Sequence, residues 1–269
     1  MTWRRQKREA PSVENHPWFH SIDLGGGRMT AGVKSAARLQ EELDRLELPD
    51  LRNRTVLDVG AWDGWFSFAA ERGGARRVVA LDEYAWAVDH RAHREYIEAS
   101  ARRRRRPRPP EEVPAIWRPG ELPGRIGFDH ARATLESHVE PVVGDFMTMD
   151  LAPLGRFDVV FFLGVLYHLK DPFLALRRLC EVTGGVAVIE TACVVVPGRE
   201  HHPLWEFFEG AELDGDPSNW WAPNAAGLLA ACRAAGFSRV QPRATPAVDD
   251  PPNPGYEWHY GRAVIHAWR

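Results

Sequence analysis

The stretch Thr55 to Ser67, TVLDVGAWDGWFS, constrains the fold more than any other part of this chain. Apolar Val56, Leu57 and Val59 surround Asp58, then come Gly60 and Gly64, and then Trp65, Phe66, Phe68 and Ala69 follow at helical spacing. That order predicts a buried parallel strand, a tight glycine turn and the first turn of a helix. The turn puts backbone N–H groups and a helix N-terminus at the carboxyl end of a strand, where open α/β sheets take nucleotide-like ligands. Gly60 lets the backbone approach a ligand, and Gly64 lets the helix start close against the strand. Trp62 stands where a dinucleotide fingerprint would have its second glycine, and its indole leaves little room for a pyrophosphate.

Two further strand ends extend the pattern. VVALD ends at Asp82, roughly 20 residues on, the spacing of a carboxylate that accepts ribose hydroxyls. VEPVVGDF then places Asp145 and Phe146 to meet an adenine by hydrogen bond and by stacking. Three successive strand ends thus carry what an adenosine needs, and with no second glycine they favour S-adenosylmethionine over NAD. The expected cofactor contacts are Asp58, Gly60, Ala61, Trp62, Gly64, Asp82, Glu83, Gly144, Asp145, Phe146, Leu163 and Gly164.

The strand pattern fills out one α/β unit. FDVVFFLG is an almost continuous apolar run, as in a strand buried on both faces, and ends in GVLYHLKDP. Tyr167 and His168 project just past that strand, beside the expected place of the reactive methyl. Asp171 and Pro172 read as an N-cap and first helical position. GVAVIET, ending in Glu190 and Thr191, is the fifth strand, and FSRVQPR with RAVIHAWR reads as a closing antiparallel hairpin. The fold class is α/β and Rossmann-like: a seven-stranded, mostly parallel sheet with the last strand antiparallel. At 269 residues and 44% hydrophobic the chain can bury one sizeable core.

Around this unit three additions are expected: a disordered basic arm over 1–16, a cap over 17–50, and an insertion over 87–125 within the domain of 51–269. The cap contains WFHSIDLGGGRMTAG, with a glycine turn between two short extended pieces. His20 either packs among aromatics there or faces the substrate. The insertion begins helix-like and continues as PRPPEEVPAIWRPGELPG, where prolines forbid a regular helix. Its run Arg102 to Arg106 plus Arg108 is either a phosphate grip or a solvated face balanced by acids such as Glu111 and Glu112. A long loop past the fifth strand carries HHPLWEFFEG and DPSNWWAPN, too many large rings for ornament, and reads as wall and lid of a pocket. Its expected substrate contacts are Trp205, Glu206, Ser218, Asn219, Trp220, Trp221 and Asn224.

A formal net charge of -3 gives no global sign of nucleic-acid binding. Cys180, Cys193 and Cys232 are far apart, with no C-x-x-C pair, so neither a disulfide framework nor a zinc site is expected. No window approaches 18 apolar residues and the N-terminus has no apolar core, so a cytoplasmic chain without membrane contact is expected.

WFHSIDL, VLDVGAWDGWFSF, LDEYAW, GFDHAR, FLGVLYHLKDP, VIET and SNWWAPN together resemble the wobble-uridine tRNA methyltransferases and carboxymethyltransferases. These form a branch of the class I S-adenosylmethionine-dependent methyltransferases. The resemblance runs from about Trp18 to the C-terminus, broken by the insertion. It implies that Asp58, Gly60, Asp82 and Asp145 hold a methionine-sulfonium cofactor. In carboxymethyl-transferring members a lysine before the aromatic entry segment and the tyrosine of GVLYH grip an extra carboxylate. Tyr167 matches the tyrosine, but residues 14 to 17 here are Glu, Asn, His and Pro. Without that cation a second carboxylate would be poorly compensated, so plain S-adenosylmethionine is the expected cofactor.

Methyl transfer from a sulfonium is an in-line displacement that needs positioning and exclusion of water. For a hydroxyl acceptor a base helps, and His168 is the candidate, with Tyr167, Glu190 and His20 as the other catalytic residues expected. Glu190 would orient His168 or bind substrate. The expected partner is a small aromatic or sugar-containing metabolite methylated on oxygen. The alternatives are a tRNA wobble uridine gripped by the arginine run and a cofactor-binding module without turnover. A homodimer is a further option.

Overall fold

The computed structural model describes residues 13, 16–105, 107–248, 250–253 and 255–269. The expected basic arm thus lies outside the described residues except at positions 13 and 16, as does Arg106 of the arginine run.

A seven-stranded sheet forms the centre. Its strands are β1 (Thr55–Val59), β2 (Arg77–Asp82), β3 (Glu140–Val143), β4 (Phe157–Leu163) and β5 (Thr183–Val195), then β8 (Arg239–Ala244) and β9 (His259–Trp268). Their order across the sheet is β3-β2-β1-β4-β5-β9-β8. The first five are parallel, while β9 runs antiparallel to both β5 and β8. The closing hairpin expected from the sequence is therefore present, with its second strand inserted beside β5. β5 continues past Thr191 to Val195, because β9 pairs with it from Val186↔Trp268 to Val195↔His259.

Both faces of the sheet are covered, which is why its central strands read as unbroken apolar runs. Leu57, Val79, Phe162, Ile189 and Ile265 pack on one face with Leu176 and Leu179 of helix α6 (Pro172–Val182) and Leu228 of α7 (Ala225–Ala234). Val56, Phe161, Val188 and Val264 pack on the other with Leu39 of α1 (Ala36–Arg45), Phe68 of α2 (Trp65–Arg72) and Phe128 of α5 (Ile126–Thr134). Asp171 caps α6 by accepting the Leu174 N–H at 2.9 Å, with Pro172 at its first position.

In the cap, Gly25 to Gly27 turn the chain so that Asp23 and Met29 pair antiparallel. A one-turn helix α3 (Tyr84–Ala87) leads into the insertion, whose helix α4 (His90–Arg102) is capped by Asp89. The insertion returns along its own entry: Val88 bridges Trp117, Asp89 N–H donates to Ile116 O at 2.9 Å, and Arg118 N–H donates to Ala87 O at 2.8 Å. The aromatic segment expected as a loop contains a small hairpin of β6 (Trp205–Phe207) and β7 (Trp221–Pro223), outside the main sheet. Among the described residues no helix is long and apolar enough to cross a membrane.

Candidate active site

The β1–α2 turn is built on a left-handed backbone. Gly60 has φ +79° and Gly64 φ +89°, and between them Trp62 takes φ +51°. A Cβ on Gly60 would lie 2.6 Å from Val165 Cγ2, and one on Gly64 2.7 Å from a Phe128 ring carbon. The turn is held from β2: the Trp62 N–H donates to Asp82 Oδ2 at 2.9 Å, and the Ala85 N–H to Asp82 Oδ1 at 2.9 Å. Both Asp82 oxygens are thereby committed to backbone. Burial pushes its carboxyl up to about 6 against the pull of those N–H groups. Asp58 is buried too, accepts the Ser67 hydroxyl at 2.5 Å, and is likewise raised by burial to about 6.

The acid beside Asp82 is in a different state. Glu83 is half-buried, with no hydrogen bond to its carboxylate among the described residues, and burial followed by the neighbouring Asp145 raises its pKa. Asp145 accepts the Met147 N–H and the Thr148 hydroxyl, each at 2.9 Å. Phe146, 7% exposed, packs its ring against Phe162 with the Arg178 guanidinium over it, so the ring sits in the core. Gly144 is close-packed, since a Cβ there would lie 2.8 Å from Met149 Sδ.

Trp62 turns its indole away from the strand ends and into the cap. Its ring stacks on Phe19 at 4.1 Å and 4°, and on His90 of α4 at 5.1 Å and 17°. His90 donates from Nε2 to Ala85 O at 2.8 Å, and burial lowers its pKa to about 4, so the ring is neutral at pH 7. Beside this column lies a cavity of about 190 Å³ lined by Pro17, Phe19, Trp62, His90, His93 and Arg94. His20, 5% exposed, hydrogen-bonds through Nδ1 to Asp63 Oδ1, and Asp63 Oδ2 accepts the backbone N–H groups of Phe19 and His20 at 3.0 and 2.9 Å. His20 therefore fastens the cap to the turn.

Past β4, Leu163 lies opposite Glu190 in the β4–β5 register, and the chain turns at Gly164. The nearest atoms to a Gly164 Cβ would be Arg262 Nη2 and Tyr167 Oη at 3.7 Å and Glu190 Oε2 at 3.9 Å, so three polar side chains stand at ordinary contact distance around this position. Arg262, on β9, donates from Nε and Nη2 to the two oxygens of Glu190 at 2.5 and 2.7 Å, with its guanidinium 4.5 Å from the Tyr167 ring centroid. Burial works against the guanidinium's charge, but Glu190 and Tyr167 outweigh it and raise its pKa. Burial raises the pKa of Tyr167, with Arg262 opposing. Glu190 thus spends its charge on Arg262, and His168 has other partners.

His168 Nδ1 is 3.1 Å from the Ser218 carbonyl oxygen and 3.0 Å from Ser218 Oγ, and that hydroxyl donates to Asp216 Oδ1 at 2.7 Å. Burial lowers the His168 pKa, with Asp216 opposing. The Trp220 N–H donates to Tyr167 O at 2.8 Å and Lys170 Nζ sits 4.9 Å over the Trp220 ring, so the lid rests directly on the β4 turn. Asn219 is buried, donating to Leu213 O at 2.8 Å, with its Oδ1 unpaired. Asn224 caps α7 and brackets the loop through Leu204 N–H and His202 O. Trp205 packs on Phe173, Trp221 on Phe207, and Glu206 accepts the Tyr260 hydroxyl at 2.9 Å.

The structure therefore gathers Tyr167, His168, Glu190, Ser218 and Trp220 at one edge of the β4 turn and places His20 with Trp62 at the cap. Trp205, Trp221, Glu206 and Asn224 lie in the outer hairpin and its bracket. Arg262, Asp63, His90 and Asp216 were not anticipated. No periodicity marks them: Arg262 and Asp63 act on partners 72 and 43 residues away. No group of three or more His, Cys, Asp or Glu fit to hold a metal occurs among the described residues. In the arginine run, Arg102 pairs with Glu98, while Glu111 accepts the Tyr84 hydroxyl.

A mostly parallel sheet of order β3-β2-β1-β4-β5-β9-β8, with β9 antiparallel, a glycine turn after β1 and carboxylates after β2 and β3 defines a class I methyltransferase. The chain belongs to the methyltransferase-domain family, whose model matches residues 33–241. S-adenosylmethionine is the methyl donor of this class. The acceptors present at the strand ends suit it: Glu83, with no hydrogen bond to its carboxylate among the described residues, and Asp145 can accept from hydroxyl and amine groups. The chain is 31% identical over 195 residues to a tRNA U34 carboxymethyltransferase of Shewanella loihica, covering 71% of this chain and 46% of that protein. It is 32% identical over 197 residues to another from Pseudomonas savastanoi pv. phaseolicola, covering 71% and 48%. It spans about half the length of these curated relatives. The N-terminal domain of EvdMO1, crystallised in the presence of SAH and D-fucose, superposes over 95% of this chain and 92% of that one, with TM-score 0.56 and 17% identity. That likeness concerns the fold.

Proposed function

We propose that the protein transfers the methyl group of S-adenosylmethionine to a hydroxyl oxygen of a small aromatic or sugar-containing metabolite in the cytoplasm. The observation that carries this reading is the β4 turn, where the lid packs directly on Tyr167 and His168 through Trp220 and Ser218. In this reading the Gly60–Gly64 turn, Glu83, Asp145 and Gly164 hold the cofactor, which supplies an electrophilic methyl on a sulfonium. Trp220 and Ser218 shelter the acceptor from water, and His168 takes its proton. Because Glu190 already pairs with Arg262, the carboxylate of a carboxylated cofactor would have to compete with Glu190 for that guanidinium, which favours the plain cofactor.

A second reading, modification of a tRNA wobble uridine, is favoured by the names of the curated relatives and by exposed Arg103, Arg104 and Arg105. Calorimetric titration with S-adenosylmethionine, its carboxylated analogue and total tRNA at low and moderate salt separates the two. The small-molecule reading expects tight binding of the plain cofactor and no salt-sensitive tRNA binding. Preference for the carboxylated cofactor, or tRNA affinity falling steeply with salt, would overturn it. With a hydroxyl acceptor in hand, His168→Ala should lower kcat by about 10²-fold or more, and unchanged turnover would remove it as base.

A further inference from the structure

A carbonyl oxygen can only accept a hydrogen bond, so His168 Nδ1, 3.1 Å from the Ser218 carbonyl, must carry a proton. The Ser218 hydroxyl has one proton, and its 2.7 Å contact with Asp216 Oδ1 uses it, since an ionised carboxylate cannot donate. The Ser218 Oγ lone pairs then receive the same Nδ1–H at 3.0 Å. Asp216 Oδ1 also accepts the Ser218 N–H at 2.8 Å, which fixes the turn presenting the hydroxyl. The direction of the chain of hydrogen bonds is thus determined throughout: imidazole to serine to aspartate.

We propose that Ser218 and Asp216 are positioning residues that hold His168 as the Nδ1–H tautomer, leaving Nε2 as the proton acceptor. The inference rests on the reading of His168 as base. Nε2 takes the proton of the acceptor hydroxyl as that oxygen bonds the methyl carbon and the carbon–sulfur pair leaves with sulfur. The serine dipole and the aspartate steady the imidazolium, which then discharges its proton to water. Charged and titratable groups facing this chain come from every side: Tyr167 and Arg262 toward His168, and Tyr84 of α3 and His93 of α4 toward Asp216. The base is therefore completed by the lid, and a lid that lifted would release the imidazole to rotate.

The test is long-range proton–nitrogen NMR of protein labelled with ¹⁵N-histidine, His168 being assigned by its absence in His168→Ala. The expected wild-type spectrum above pH 7.5 has a protonated Nδ1 and a bare Nε2. Ser218→Ala should lower the His168 pKa by about one unit, the scale of one hydrogen bond to a charged group, while the Ser218 carbonyl keeps the proton on Nδ1. Asp216→Ala should do so by less, because Asp216 is exposed, and Ser218→Thr should restore wild-type behaviour. An Nε2–H tautomer in the wild type, or a titration unmoved in both alanine variants, would overturn the proposal, and the wild-type spectrum decides even if a variant misfolds. The tautomer is read without turnover. Loss of the base reading through an active His168→Ala is thus a separate outcome.

Discussion

Asp63 reaches across 43 residues to bind His20: one carboxylate oxygen takes the imidazole Nδ1, and the other takes two backbone N–H groups of the cap. With Asp63 fully buried, these bonds tie the cap to the glycine turn after β1.

Asp63→Ala should therefore cost about 1–3 kcal/mol, the penalty for orphaning buried donors, and weaken cofactor binding as well. Urea unfolding and calorimetry on the same variant check both. An unchanged midpoint would mean that the cap is held by aromatic packing alone.

Gly64→Ala should lose cofactor binding and about 1–3 kcal/mol of stability. The new Cβ would need the left-handed backbone and would meet Phe128 and Phe68 ring carbons at 2.7 and 2.8 Å. Calorimetric titration with S-adenosylmethionine and a thermal melt are the readouts.

Arg262→Met and Glu190→Gln should each destabilise the protein by about 1–3 kcal/mol, because each strands a partly buried partner. The double variant should be less unstable than the sum. Additive effects in a double-mutant cycle would refute the pairing.

His90 gives a pH dependence whose sign follows from burial. Its folded pKa, about 4, lies below the unfolded value near 6.5. Between those values the unfolded chain binds the extra proton, so stability falls as the pH is lowered through this window. The buried acids Asp58 and Asp82, raised to about 6, tilt the other way, costing stability as the pH rises from about 4 to 6. Urea midpoints at pH 5 and 7.5 should show a smaller gain toward pH 7.5 in His90→Gln than in wild type. Gln keeps a donor for Ala85 O but does not titrate.

What was legible in the sequence was local. Val56 to Ser67 announced its strand, turn and helix because glycine and apolar spacing act within a few residues, and Asp171–Pro172 marked a cap for the same reason. The strand ends carrying Asp82, Asp145 and Glu190 followed from counting apolar runs. Less visible was which carboxylate is spent where. Asp82 lies at the expected strand end, yet both its oxygens serve Trp62 and Ala85, while Glu83 beside it stays uncommitted. Glu190 meets Arg262 only because β9 enters the sheet next to β5, with Ala192 opposite Arg262. That pairing depends on register across the sheet, which no single segment encodes. The hairpin of β6 and β7 escaped notice because three-residue strands leave no period to read.

The insertion leaves the sheet at Ala87–Asp89 and comes home at Ile116–Arg118, its two ends stitched together. Gly124 seals the seam, since a Cβ there would strike Ala85 O at 2.1 Å. Such a closed detour behaves as a cassette. Evolution or a protein engineer can lengthen, trade or shorten what lies between the stitches while the sheet keeps its register. The part of the molecule that frames one wall of the cavity beside Trp62 is then also the part most readily exchanged.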